Sequence, residues 1–170
     1  MPLGTFASGE YTITWNSVAC GLLGNNGARL SFQFAARKIN NTTTYGDTEI
    51  DKIYRGIRMC RLLVVFKEWN AACKAAIWPW GTPGTPAFDG LFGKVGILGT
   101  TAAKVLVLTA VSGTPAATNG PASLTAGMAV PSEDNAIEIL MGPDERDVPV
   151  LFDLLPYDVG SGVIKPFVLT

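Results

Sequence analysis

The hydrophobic pattern near the start of the chain has a period of two, which is typical of β-strands. Residues 10–18, EYTITWNSV, are rich in β-branched and aromatic types and predict a first strand. The segment GLLGNNGA follows, in which Asn26-Gly27 favours the positive φ angles of a tight turn. Residues 28–36, ARLSFQFAA, then predict a second strand, so that the two form a hairpin.

The next fifteen residues are polar and lose this periodicity. Residues 37–51, RKINNTTTYGDTEID, contain no regular apolar spacing and predict a long loop. Loops longer than about 12–15 residues in a compact domain are usually functional or disordered. We therefore expect this loop to have a role of its own.

Residues 57–67, IRMCRLLVVFK, predict a strand that is apolar on both faces. One face is almost purely apolar and predicts the core. The other face also carries Arg61 and Lys67, a mixture expected where a sheet meets another subunit. The first face holds Arg58, Cys60, Leu62, Val64 and Phe66, and the second holds Ile57, Met59, Arg61, Leu63, Val65 and Lys67.

A short helix is predicted directly after this strand. Asn70 can cap a helix that begins at Ala71, because its side-chain oxygen can accept a free backbone N–H. Pro79 ends the helix, since the residue before a proline disfavours helical geometry. Two turns do not persist alone, so the helix must pack on the sheet. Its predicted anchors are Trp69, Ile77 and Trp78.

The remainder of the chain predicts further short strands. Residues 79–99 hold three prolines and six glycines and predict a loop. The whole chain, residues 1–170, is predicted to be a single all-β domain, an antiparallel β-sandwich or rolled barrel of about seven or eight strands with one short flanking α-helix near residues 70–78. The later strands are expected at 104–111, 124–130, 136–141, 148–157 and 163–168, with 148–157 as the antiparallel partner of 136–141.

Composition points to self-association. The chain is 48% apolar but only 16% charged, below the roughly 25% charged residues of average globular proteins.

Its longest apolar runs are far shorter than the ~20 residues of a membrane-spanning helix, so no membrane partner is expected. The first fifteen residues lack the basic and apolar regions of a secretory signal, which predicts synthesis in the cytoplasm.

No catalytic, cofactor-binding or metal-binding pattern is present in the sequence. The absence of histidine excludes histidine-based triads, and the three cysteines lack CxxC spacing, so they are expected to be buried thiols. The acids at 133–134 and 144–147 lie in Pro/Gly-flanked turns, where carboxylates commonly bond the backbone. Gly93-Lys94 is followed by valine rather than Ser or Thr, so the segment fails as a phosphate-binding loop.

Charge is unevenly distributed along the chain. Residues 29–104 carry eleven Lys and Arg against five acids, whereas residues 105–170 carry two against eight. The two halves either pair within one fold or form a head-to-tail contact between copies, in which a positive surface meets a negative one.

The order of these features resembles the tail tube proteins of tailed bacteriophages. The resemblance rests on the N-terminal GEYTITWNSVACGLLGNNG, the polar segment ending YGDTEIDKIYRG, the strand IRMCRLLVVFKEWN, and the short helix ending at a proline. It covers most of residues 9–80 and extends more loosely to KVLVLTAVSGTPA and PVLFDLLPYD.

This resemblance implies a virion structural protein with no catalytic activity. Six-subunit rings would stack into a hollow tail tube, assembled in the host cytoplasm, through which genomic DNA passes without specific binding. The implied partners are further copies of the chain and other tail proteins, such as sheath, baseplate or terminator components. The predicted inter-subunit contacts are Arg37, Lys38, Tyr45, Asp47, Glu49, Asp51, Arg58, Arg61, Leu63, Val65, Lys67, Asp144, Glu145 and Asp147.

Other functions remain open from the sequence. The same fold would serve another ring-forming tail or neck component, such as a tail terminator or distal tail protein, or a capsid decoration protein. A receptor- or carbohydrate-binding module would use Trp78, Trp80 and Phe88 as stacking surfaces. A hydrolase would depend on an acid pair alone.

Overall fold

A computed structural model describes residues 9–41, 48–78, 98–113, 120–134, 136–139 and 147–170. Within them the chain forms nine antiparallel strands and two short helices, which confirms the predicted all-β class. Three of the strands, β7 to β9, have only two residues each. The elements are β1 Tyr11–Trp15, β2 Val18–Asn41, β3 Thr48–Phe66, α1 Ala71–Ile77, α2 Gly99–Ala102, β4 Lys104–Ala110, β5 Ser123–Pro131, β6 Val148–Leu154, β7 Tyr157–Asp158, β8 Ile164–Lys165 and β9 Val168–Leu169.

Six of the strands close into a barrel. The order in the large sheet is β4-β1-β2-β3-β6-β5-β9, and β4 also pairs with β5. This last pairing joins the two ends of a six-stranded sheet, which removes its free edges. Of the predicted architectures the rolled barrel is therefore the one observed, with β9 added alongside β5 and β7–β8 forming a separate ribbon.

The first hairpin turns at a different place from the one predicted. Asn16 and Ser17 have φ angles of 48° and 67°, and Trp15 pairs with Val18 across this two-residue loop. Asn26-Gly27 instead lies inside β2. There the positive φ of Gly27 serves an irregularity in register between Leu23 and Ala28.

Two other predictions are corrected by strand pairing. Residues 37–41 and 48–51, expected in a loop, belong to β2 and β3 and pair with each other. Residues 136–139, expected in a strand, form none, and β6 pairs with β3 and β5 instead. The first error arises because a ribbon exposed on both faces has no need for apolar alternation. Residues 42–47 and 140–141 lie outside the described residues.

The barrel interior is filled by large apolar side chains. The predicted core face of β3 is confirmed at Cys60, Leu62, Val64 and Phe66, all buried, whereas Arg58 is exposed. Alternate residues of β6 point inward with them, as its burial pattern shows. Phe152 lies 6.3 Å from Phe66 and 5.5 Å from Trp15 between ring centroids, which links three strands in one cluster.

Helix α1 begins as predicted. The backbone N–H of Cys73 donates to the side-chain oxygen of Asn70 at 3.0 Å, which forms the expected cap. Ile77 is an anchor, with 1% of its surface exposed, and Trp78 is half-buried against the same core. Trp69 was predicted as an anchor but is 41% exposed, because its ring packs edge-on against Trp78 rather than into the barrel.

Candidate interaction surface

Strands β2 and β3 continue well beyond the barrel. β2 pairs with β1 only as far as Leu22, and β3 pairs with β6 only from Arg61 onward. Beyond these limits the two strands pair with each other, from Phe32 opposite Cys60 to the backbone of Asn41 opposite Thr48. We call residues 32–41 and 48–60 the arm. Ten extended residues span about 33 Å, so the arm is comparable in length to a small domain.

Three irregularities in register shape the arm. Each one places a single extra residue in β3, at Ile50, Arg55 and Arg58. Each extra residue shifts the pairing of β3 by one position. As a result Ile57 lies opposite Phe34 and Tyr54 lies opposite Ala36, on the same face of the ribbon. Without these bulges the apolar side chains of β3 would alternate between the two faces of the ribbon.

The result is a row of apolar side chains along one face, which we call the aromatic strip: Phe32, Phe34, Tyr54 and Ile57. Their exposed fractions are 45%, 59%, 68% and 40%. Ring centroids are 5.6 Å apart for Phe32 and Phe34 and 5.9 Å apart for Phe34 and Tyr54. The strip continues the inward face of the barrel. Phe32 is paired with Cys60, and the preceding pair on the same face is Leu30 with Leu62.

A charged group lies beyond the aromatic strip. Lys38 and Lys52 are directly opposite across the ribbon, a repulsive pairing. Glu49 relieves it, since its carboxylate lies 2.8 Å from the Lys38 ammonium and 2.9 Å from that of Lys52. Hydrogen bonds from Lys38 and then Lys52 lower the pKa of Glu49, and the hydrogen bond to Glu49 raises the pKa of Lys52.

The arm as a whole is positively charged, whereas the rest of the described chain is negatively charged. The arm carries five cations and two acids, and the remainder carries six cations and eight acids. A hollow of about 400 Å³ on the arm brings the charge and the rings together, with three cations beside Phe34 and Tyr54. The arm cations are Arg37, Lys38, Lys52, Arg55 and Arg58, and its acids are Glu49 and Asp51.

Five of the predicted assembly residues meet on the arm, namely Arg37, Lys38, Glu49, Asp51 and Arg58. Arg37, Lys38, Asp51 and Arg58 are exposed, and Glu49 is half-buried between the two lysines. Sequence reasoning identified these charges but not the aromatic strip between them. The alternating FQF of β2 indicated a strand, and nothing in that pattern shows that the strand has left the barrel. Tyr45, Asp47, Asp144 and Glu145 lie outside the described residues.

The predictions for the second face of β3 need correction. Val65 is only 3% exposed and is covered within its own chain, so it is not available to a partner. The Arg61 Nε donates to Asp153 Oδ1 at 2.9 Å, and its Nη2 group also contacts the carboxylate of Asp134. The carboxylate of Asp134, and then that of Asp153, raises the pKa of Arg61, so the Arg61 charge is paired within its own chain.

The remaining predicted contacts lie around the barrel. Leu63 is half-buried, and Lys67 is exposed. Asp147 is half-buried beside Gly24, where a Cβ would lie 2.6 Å from its Oδ1 and 2.7 Å from Val65 Cγ1. A larger residue at Gly24 would displace the Asp147 carboxylate and the Val65 side chain.

A second concave site opens at the barrel end from which the arm departs. Its volume is about 580 Å³, and we call it the mouth pocket. Leucines from five strands line it, and Glu10 and Lys67 also lie on its wall. The pocket is therefore an apolar recess with a charged margin. These leucines are Leu22, Leu23 and Leu30 of β2, Leu62 of β3, Leu108 of β4, Leu124 of β5 and Leu169 of β9.

Chemistry beyond packing finds little support in the described residues. All three cysteines are buried free thiols, as predicted, and burial raises the pKa of Cys60 to about 11. No group of three or more potential metal ligands occurs among the residues described. Of the three stacking residues proposed for a carbohydrate site, Trp80 and Phe88 lie outside the described residues, and Trp78 packs against the core.

Within the described part of the chain, no helix has the length and apolar character needed to cross a membrane. No protein-family model matches the sequence, and a comparison with characterised proteins gives no match.

Proposed function

We propose that this protein is a self-assembling structural subunit of a phage tail tube, in which rings of copies stack to enclose a channel for DNA. The observation that carries the proposal is the arm, with its exposed aromatic strip. The resemblance of residues 9–80 to tail tube proteins supports a tail tube as the assembly that the copies form. No catalytic step is part of the proposal.

An arm of this kind needs a partner. An isolated two-stranded ribbon is at best marginally stable in water, and this one exposes four apolar side chains on one face. Contiguous exposed apolar surface of this sort marks an interaction site. Covering the strip removes it from water and stabilises the ribbon at the same time.

A further copy of the chain is the partner that fits the charges. The positively charged arm complements the negatively charged remainder, so one copy's arm is attracted to another copy's body. Such a contact joins two different surfaces and is therefore head-to-tail. Head-to-tail contacts close into rings when the rotation allows it and otherwise extend into filaments, the two geometries that a tube combines.

Negative-stain electron microscopy of the purified protein, across a series of protein and salt concentrations, tests the proposal. Hollow tubes or stacked rings that dissociate at high salt support it, because exposed charges are screened beyond about 10 Å at 0.1 M salt. Single closed rings that never stack would favour a terminator or neck component instead. Isolated monomers under every condition would contradict self-assembly altogether.

A further inference from the structure

The mouth pocket and the aromatic strip are both apolar, and neither is covered by the residues that the structure describes. The pocket has a volume of about 580 Å³, within the 300–1,000 Å³ typical of sites that enclose a ligand. Its walls include Leu30 and Leu62, the last barrel residues before the strip begins. The question is which apolar group occupies it.

We propose that the mouth pocket receives the Phe34–Tyr54 ring pair from the arm of a second copy. This inference rests on the proposed self-assembly and specifies its contact. Phe34 and Tyr54 are 59% and 68% exposed, more than any other aromatic side chain described, and their rings already contact each other. Because the pair is pre-organised, inserting it orders few additional rotamers.

The pair cannot enter the pocket of its own chain. Leu30 lines the pocket, and Phe34 lies four residues further along the same extended strand, about 13 Å away. β2 and β3 remain paired over this distance, so the ribbon cannot fold back without breaking its hydrogen bonds. The rings of one copy are therefore directed to the pocket of another.

The charges around the two surfaces match. Lys38, Lys52 and Arg58 share the hollow with the ring pair. On the receiving side, two acids accompany one cation: Glu10 and Lys67 lie on the pocket wall, and Asp147 lies against Gly24, another lining residue. The receiving margin therefore has a net negative charge and the arm a net positive one, and an apolar centre with such a margin is expected of a specific interface.

Photo-crosslinking can map this contact. Benzoylphenylalanine replaces Tyr54, which tolerates the larger ring because it is exposed, and labelled and unlabelled chains are mixed so that mass spectrometry recognises crosslinks between copies. The inference predicts inter-copy crosslinks to peptides containing the pocket residues at 22–30, 121–124 and 169. Inter-copy crosslinks confined to another arm or to the outer barrel wall would overturn it.

A blocking variant gives an independent measurement. Ala28 is exposed and lines the pocket, so Ala28→Trp fills the opening without disturbing the core. We expect at least a tenfold loss of self-association, whereas Val105→Trp, at an exposed position that does not line the pocket, should leave it unchanged. Equal assembly by both variants would overturn this inference and leave the proposed function standing. A wild-type chain that stays monomeric would overturn the proposed function and, with it, the basis of the inference.

Discussion

The rings of Phe34 and Tyr54 meet edge to face on the outside of the arm, with centroids 5.9 Å apart and planes inclined at 77°. Their residues belong to different strands and are neighbours only because Arg55 and Arg58 are extra residues in the register. Aromatic pairs in this geometry contribute about 0.5–1.5 kcal/mol beyond their burial. Here the pair links the two strands of an exposed ribbon and makes no part of the barrel core.

Stability and assembly should therefore respond to different aromatic residues. Phe152 is fully buried between Trp15 and Phe66, so Phe152→Ala should lower the free energy of unfolding by about 3–5 kcal/mol. Phe34→Ala, at an exposed position, should change it by no more than about 0.5 kcal/mol. Urea unfolding monitored by tryptophan fluorescence measures both. Comparable losses from the two substitutions would show that the arm belongs to the folded core.

Arm order should depend on pH through Glu49. Its pKa is lowered in the folded state, so its contribution to stability is present above its ordinary pKa of 4.5 and is lost as the pH falls through the lower folded value. Hydrogen exchange of arm amides, corrected for the intrinsic pH dependence, should show loss of protection across that window. In Glu49→Gln the protection should already be low at pH 7 and should change little on acidification. A wild-type arm equally protected on both sides of the window would contradict this role.

Gly56 should be required for the shape of the arm. Its φ of +118° is one that side chains rarely adopt, although a Cβ at this position would meet no other atom within 4 Å, so the cost of replacement is conformational. Gly56→Ala should destabilise the arm locally by roughly 1–2 kcal/mol. Faster hydrogen exchange in the arm, with unchanged exchange in the barrel, is the expected result. Ala36→Val, on the same ribbon at an exposed site, serves as the control and should not alter exchange.

Arg61 should act within one chain. A double-mutant cycle with Arg61→Ala and Asp153→Ala should give a favourable coupling free energy in the unfolding of dilute, monomeric protein, because the two side chains are bonded in the chain itself. Zero coupling in the monomer, with coupling that appears only in the assembly, would restore the inter-subunit role predicted from the sequence.

The sequence was most informative where local chemistry determines structure. Asn70 caps the start of α1 as predicted, and the alternation from Cys60 to Phe66 identified the inward face of β3. These features depend on neighbouring residues alone, so a single sequence contains the information for them.

The errors arose where distant residues or exposed backbone determine structure. Asn16 and Ser17 adopt positive φ without a glycine, so their turn lacked the usual signal. The outer part of the arm pairs Lys38 with Lys52 and Asn40 with Glu49, so residues 37–51 show no apolar periodicity. The partners of Arg61 lie 73 and 92 residues away, at a distance that spacing along the chain does not reveal.

The central claim is that the aromatic strip of the arm drives self-association. Sedimentation velocity on matched samples of wild type, Phe34→Ser/Tyr54→Ser and Leu98→Ser tests it most directly, since Leu98 is 71% exposed but lies outside the arm. The account predicts large assemblies for wild type and Leu98→Ser, and folded monomers for the double variant. Assemblies of the same size in all three proteins, or monomers in all three, would contradict it.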